Sequence, residues 1–210
     1  MTAAEGVLLI GASGLAREVL AAGMVGVVGI LDDDAALHGT EIGGMHVLGA
    51  IDSAAGREEQ LLVCVGPSEV RRQVVRRLVD LGVTTERFAV FAARSARIGT
   101  TSDIGAGSIV LDGVVITADA ILGEHVVVMP NCTITHDDVV HDFATLAAGV
   151  SLGGSAQIGA AAYVGMNASI KQGVTIGEEA IVGMGSVVLV DVPDRQTWAG
   201  VPARQLGAES

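Results

Sequence analysis

Residues 135–170 read THDDVV HDFATL AAGVSL GGSAQI GAAAYV GMNASI, and each block of six closes on an aliphatic residue: Val140, Leu146, Leu152, Ile158, Val164 and Ile170. The count runs on without a slip, back through Ile134, Val128, Leu122, Ile116, Val110 and Ile104 to Ile98, and forward to Ile176, Val182 and Val188. Two residues before each aliphatic lies a second register of mostly small residues, among them Ser102, Ser108, Ala120, Cys132, Ala144, Ala156, Ala168 and Ser186. Glycine follows the aliphatic at 99, 105, 123, 153, 159, 165, 177 and 183. A period of six suits neither an α-helix nor a hairpin sheet. It suits a parallel β-helix in which each hexapeptide supplies one short strand and one turn. Residues two apart share a strand face, so both registers point inward, and only small side chains in the second let a narrow prism close. Glycine after the aliphatic is expected to provide a tight corner of positive φ. Three hexapeptides make one triangular coil, giving about five coils and a prism roughly 24 Å tall at ~4.8 Å per stacked strand.

The rest of the composition agrees with a folded chain. Of 210 residues, 50% are hydrophobic and only 2% aromatic, as a core too thin for rings requires. A net charge of −12 argues against a nucleic-acid or anionic-membrane surface. Cys64 and Cys132 are too few for a disulfide framework and read as buried thiols of a reducing compartment. The longest apolar run, 19–31, is broken by glycines and too short to span a bilayer, and no basic segment precedes it as in a signal peptide. A cytoplasmic protein is the expectation.

Before the prism the pattern changes. Val7 to Ile10 reads as a strand, Gly11-Ala12-Ser13-Gly14 as a turn, Leu15 to Ala22 as a helix, and Val27 to Leu31 as a second strand ending in Asp32-Asp33-Asp34. This is βαβ grammar, with a glycine turn opening a helix and an acid about twenty residues on. The turn amides suit a diphosphate and the acids suit hydroxyl or amine groups. The glycines also read simply as a tight strand-to-helix connection, since Leu15 and Ala16 replace the further glycine of a full dinucleotide fingerprint. Leu61 to Val65 is a third strand, and a helix is expected to run to Asp80 with Ser68 as its N-cap. Arg71, Arg72, Arg76 and Arg77 give that helix a basic face, read as solvated, with anion binding as the other reading. The expected divisions are an α/β domain at 1–84, a connector at 85–97, the prism at 98–192 and a tail at 193–210.

Gly11-Ala12-Ser13-Gly14, Leu31-Asp32-Asp33, Val65-Gly66 with Arg71-Arg72, His136-Asp137, and Gly200-Val201-Pro202-Ala203-Arg204 together resemble the NeuD/PglD family of sugar acetyltransferases. The resemblance covers nearly the whole chain. It implies a Rossmann-like nucleotide-sugar domain followed by a left-handed β-helix, assembled as a homotrimer. It also implies transfer of acetyl from acetyl-CoA to the amino group of a UDP-, GDP- or dTDP-linked amino sugar, with O-acetylation of a sialic acid-type sugar as the alternative, in glycan biosynthesis. By that pattern His136 is the general base and Asp137 raises its basicity. Ser13, Gly14, Leu15, Asp32, Asp33 and Gly66 hold the nucleotide sugar, while Thr145, Gly154, Met166, Met184 and Arg204 meet acetyl-CoA. An imidazole near pKa 6.5 suits the first role, and a Gly154 N–H one coil above it is placed to polarise a thioester carbonyl.

Met166 and Met184 lie out of phase with His136 by two-thirds of a coil, hence on another corner, so the site is expected between neighbouring prisms. The chain departs from the family's pattern at Thr145, where relatives carry a second histidine against acetyl-CoA, at Met129 in place of Asn, and at Ala92-Ala93 in place of His-Pro. An acid, Asp138, occupies the small inward register. Lys171, the one lysine, stands at a corner and reads as solvated, or else as a contact to a CoA phosphate. His136 and His141 have the spacing of γ-class carbonic anhydrase ligands, but the third ligand would fall near Thr100, where no histidine stands; no metal is expected. A non-catalytic trimeric binding module is the remaining alternative.

Overall fold

The computed structural model describes residues 6–207, so the outermost ends of the first and last expected segments lie outside the described residues. The chain opens with a five-stranded sheet: β1 (Val7–Ile10), β2 (Val27–Leu31), β3 (Glu41–Ile42), β4 (Met45–Gly49) and β5 (Gln60–Val63). The spatial order is β3-β4-β2-β1-β5, parallel except for the β3–β4 hairpin. Helix α1 (Gly14–Ala21) connects β1 to β2, and α2 (Ser68–Asp80) follows β5. The hairpin turns on Gly43-Gly44, both at positive φ (58° and 83°), a two-glycine signal not read as a hairpin from sequence.

Two-residue strands eighteen apart then stack in parallel along three faces, as the spacing predicts. The first face contains Ile109–Val110, Val127–Val128, Thr145–Leu146, Tyr163–Val164 and Ile181–Val182. The second contains Val115–Ile116, Thr133–Ile134, Ser151–Leu152, Ser169–Ile170 and Val187–Val188. The third runs from Asp103–Ile104 to Thr175–Ile176. The aliphatic and small registers from Val110 to Val188 form one buried column. Each buried Val, Leu or Ile contributes about 1.5–3 kcal/mol. Two rungs lie beyond the aliphatic series, one at each end. Phe91–Ala92, inside the expected connector, pairs with Ile109–Val110, and Thr197–Gly200 stacks on Ile181–Val182 before turning back through Ala203–Gln205.

The corner glycines serve a different purpose from the expected one. Gly153 and Gly159 do not adopt positive φ. A Cβ on Gly153 would stand 2.6 Å from the Gln172 nitrogen, and one on Gly159 2.5 Å from the Glu178 nitrogen, so close stacking of coils requires them. The left-handed residue comes three positions after the aliphatic, at Asn131, Asp137, Phe143 and Asn167 and at Gly107, Gly113, Gly149 and Gly173.

The α/β domain packs on the first face and on the corner that leads into it, where Ala106 and Phe143 meet its second apolar cluster. Leu9, Ile30 and Leu62 join Phe91, Ile109, Leu111 and Val127 in one apolar cluster. Outward-facing Ile109, Val127 and Thr145 are buried beneath the domain, whereas Tyr163 and Ile181, higher on the same face, are 40% and 44% exposed. The domain therefore covers the lower rungs and leaves the upper ones open.

Candidate active site

His136 sits at the corner between the second and third faces, on the turn from Ile134 to Val139. Asp137 takes the left-handed position there (φ 62°), a conformation Asp tolerates better than most residues, and this brings its carboxylate beside the preceding ring. Asp137 Oδ2 lies 2.8 Å from His136 Nδ1. The carboxylate holds the imidazole above its usual pKa through that hydrogen bond, and it selects the tautomer in which Nδ1 donates and Nε2 carries the free lone pair. His136 is exposed, at 60%. Its ring lies over Gly154 of the next coil, where an added Cβ would stand 2.5 Å from both Nε2 and Cε1. Among the described residues the Gly154 N–H donates to no protein acceptor. The corner thus presents a basic nitrogen and an unengaged donor side by side.

The glycine turn is braced from within. Ser13 caps α1, accepting from the Leu15 N–H at 3.0 Å and donating to the Cys64 carbonyl at 2.6 Å. Asp32 Oδ2 accepts from the Ala12 N–H at 2.7 Å and Oδ1 from the Asp34 N–H at 2.8 Å. Asp33 accepts from the Ile51 N–H at 3.1 Å and pairs with Arg77 at 2.6 Å. Burial works against that charge, yet Arg77 and the Ile51 amide hold the Asp33 carboxyl below its usual range. Both acids are therefore engaged by the protein, while the Ser13 and Gly14 N–H groups have no partner among the described residues. A cavity of about 460 Å³ opens beside this turn, lined by Gly14, Leu15, Gly66, Met129, Tyr163 and Met166 among others. No residue of the His136 corner lines it.

Helix α2 corrects two expectations. Its N-cap is Pro67, not Ser68, whose hydroxyl instead lies 3.0 Å from Thr145 Oγ1. Its basic face is not a uniformly solvated one. Arg71 is 0% exposed. Its guanidinium donates to the carbonyls of Val65, Gly66, His125, Phe143 and Ala144 and to Thr145 Oγ1. Among the described residues no carboxylate pairs with it, and burial lowers its pKa to about 10. Arg72 is drawn into ion pairs with Glu69, Glu178 and Glu179. Arg71 thus pins the Val65-Gly66 segment that follows β5 to the prism and consumes the Thr145 hydroxyl, leaving that residue 5% exposed at the cavity wall.

Met166 and Met184 occupy the corner between the first and second faces, 48% and 77% exposed. They stack as expected, with the Gly185 N–H bonded to the Met166 carbonyl at 2.7 Å. Among the described residues the Arg204 guanidinium, on the exposed return strand of the tail, donates only to the neighbouring Ala203 carbonyl at 2.8 Å. The structure brings together His136, Asp137 and Gly154, and separately Gly14, Leu15, Gly66, Thr145 and Met166, but leaves these groups on different corners. Among the described residues no three His, Cys, Asp or Glu side chains converge as metal ligands would, and no helix is long and apolar enough to cross a membrane. The cavity residues Met129 and Tyr163 went unassigned in the sequence; an apolar column at eighteen-residue spacing, Phe91, Ile109 and Val127, marks the face they border.

The family of bacterial transferase hexapeptides (six repeats) matches residues 155–189. PerB from Caulobacter crescentus, solved in complex with CoA and GDP-perosamine, is 30% identical, with a TM-score of 0.87 over 96% of this chain and 97% of that one. A variant of GDP-perosamine N-acetyl transferase from the same organism, with the same ligands, is 29% identical, with a TM-score of 0.88 over 96% and 97%. The acetyltransferase domain of PglB from Neisseria gonorrhoeae, in complex with acetyl coenzyme A, is 29% identical, with a TM-score of 0.86 over 97% of this chain and 100% of that one. At such identity over essentially full length, the chain belongs to the hexapeptide-repeat sugar acetyltransferases of the left-handed β-helix superfamily, enzymes of acyl transfer.

Proposed function

We propose that the protein transfers acetyl from acetyl-CoA to the amino group of a nucleotide-linked sugar, with His136 as general base. The observation that carries this reading is the His136 corner: a tautomer fixed by Asp137, a free Nε2, and an unengaged Gly154 N–H beside it. The sugar amine attacks the thioester carbonyl, a C–N bond forms, and Nε2 takes the amine proton. Asp137 stabilises the imidazolium, and the Gly154 N–H faces the oxygen on which charge develops. Collapse breaks the C–S bond, and the imidazolium returns its proton to the departing CoA sulfur.

Ligand placement follows from the two corners. The nucleotide lies against Gly14, Leu15 and Gly66, with free amides at Ser13 and Gly14 for a diphosphate, with Asp32 bracing the turn and with Asp33 beside it on the Ile51 amide and Arg77. The exposed apolar surface of Met166 and Met184 suits the CoA arm, Arg204 suits its phosphate, and Thr145 offers no free hydroxyl. Because the cavity and His136 of one prism face different corners, a complete site needs two subunits of a closed homotrimer. That PerB holds CoA and GDP-perosamine supports a nucleotide-linked amine as acceptor. The test is thiol release from acetyl-CoA with a panel of UDP-, GDP- and dTDP-linked amino sugars alongside matched hydroxy sugars. Turnover confined to the amino sugars is expected. Turnover on the hydroxy sugars, or none with any nucleotide sugar, overturns the acceptor assignment.

A further inference from the structure

Along the inward small register, Asp138 is the one acid, placed where other hexapeptides hold Ala120, Cys132, Ala144 or Ala156. It is fully buried. Its Oδ2 accepts from the Thr135 N–H at 2.6 Å, with the Thr135 hydroxyl 3.3 Å away, and its Oδ1 accepts from the Ala156 N–H at 2.8 Å. Thr135 immediately precedes His136. Ala156 closes the turn that begins Gly153-Gly154. A carboxylate so placed spans the two turns whose juxtaposition makes the corner, and it does so from inside the prism.

We propose that Asp138 is a positioning residue for His136, its carboxylate locking the imidazole's turn to the Gly154 turn and setting a fixed negative charge behind the ring. The inference rests on the reading of His136 as the base. Elsewhere in the prism the structure offers a neutral solution to half of this task. Ser102 and Ser108, in the same register, accept from the N–H eighteen residues on, Ser102 from Ala120 at 3.1 Å and Ser108 from Val126 at 2.9 Å. Serine suffices to tie one coil to the next. An acid adds a second acceptor oxygen, aimed at Thr135, and a charge. Burial raises the Asp138 carboxyl, while the Ala156 and Thr135 donors and the nearby His136 favour its ionised form. Asp137 first and Asp138 after it are the charges that raise the His136 imidazole. The other charged residues on the turns of this corner are Asp119 one coil below, Lys171 two coils above and Asp191 three coils above, and none of them is among the charges that move the imidazole.

The test compares pH profiles of kcat/KM for the wild type, Asp138→Ala and Asp138→Ser, with His136→Ala as reference. Both Asp138 variants are expected to assemble normally, because alanine and serine already occupy this register. Asp138→Ala should lose about 10-fold in kcat, within the range of imperfect proton transfer, and its acid limb should move to lower pH as the imidazole loses a neighbouring charge. Asp138→Ser should recover part of kcat by restoring the Ala156 bond, yet keep the lowered limb, a displacement that a purely structural role would not produce. A limb unmoved in both variants overturns the inference even where kcat falls. If His136→Ala itself keeps the limb and near-normal turnover, the base assignment fails first and takes this inference with it. Should neither Asp138 variant assemble, carbon NMR of the labelled wild type decides: an ionised Asp138 carboxyl at pH 7 supports the proposal, and a protonated one overturns it.

Discussion

An exposed imidazole is a mediocre base until a neighbour fixes its tautomer, and at His136 that neighbour is the next residue in the chain. Asp137 reaches the ring because the sixfold repeat places a left-handed residue at that position and Asp accepts it. His136→Ala should lower kcat about 10²–10⁴-fold. Asp137→Asn should cost less, and it should move the acid limb to lower pH, since the hydrogen bond that holds the imidazole above its usual pKa is weakened. Activity in the wild type should rise with pH as the imidazolium loses its proton, and His136→Ala should lose that limb; a folded, active variant with an unchanged profile would make His136 a bystander. The pairing was legible in two adjacent letters. The engagement of Asp32 and Asp33 by backbone amides was not, because their partners Ala12 and Ile51 are brought near only when the strand ends line up.

At the scale of elements, the hexapeptide rungs can be counted along the chain itself, since each needs only its own six residues and copies of itself above and below. Helix α2 is another matter. Periodicity assigns its length but not its partner, and an arginine on a polar-looking face is the residue that docks the domain. Arg71→Met removes donors from several buried carbonyls, each about 1–3 kcal/mol when left unpaired. Docking should weaken by on the order of 3 kcal/mol, with faster proteolytic cleavage within residues 85–97 while the prism remains intact. Cleavage at the wild-type rate would mean that the apolar cluster of Leu9, Leu62, Ile109 and Val127 holds the domain without the guanidinium.

At the scale of the whole molecule, two separated half-sites make assembly testable. A His136→Ala chain and a Gly66→Trp chain, each impaired alone, should regain about a quarter of full activity when mixed trimers form, since random assembly puts an intact His136 beside an intact cavity at that frequency. Mixed trimers without recovery would place the complete site within one subunit. The domain interface should also respond to acid. His125 is buried between Phe88 and Phe143, with ring centroids 4.6 and 5.1 Å away, and burial followed by the Arg71 charge lowers its pKa to about 4, against a smaller opposing pull from Asp142. The unfolded chain takes up that proton near pH 6.5, so the stability this neutral ring confers is complete above about pH 6.5 and is lost towards pH 4, by roughly 3 kcal/mol. Urea melts of wild type and His125→Asn should show the wild-type advantage at pH 7 closing by that amount at pH 4; a constant gap would contradict it.

What the sequence determined by itself was the repeat and most of what is local, short of the Gly43-Gly44 hairpin and the N-cap of α2. The prism needs only a period, β1, β2, β5 and the two helices of the first domain need only their own patterning, and the His136-Asp137 pair needs only adjacency, so short-range sterics and burial settle each of them. Tertiary structure decided what depends on stacking and docking. Close contact between coils, not backbone φ, accounts for Gly153 and Gly159. Burial beneath α2 turned Thr145 inward and made Arg71 a clamp, and the phase of the corners parted His136 from the cavity. Those outcomes follow from which of three equivalent faces the first domain covers, and that choice is made by apolar surfaces meeting across more than eighty residues of chain.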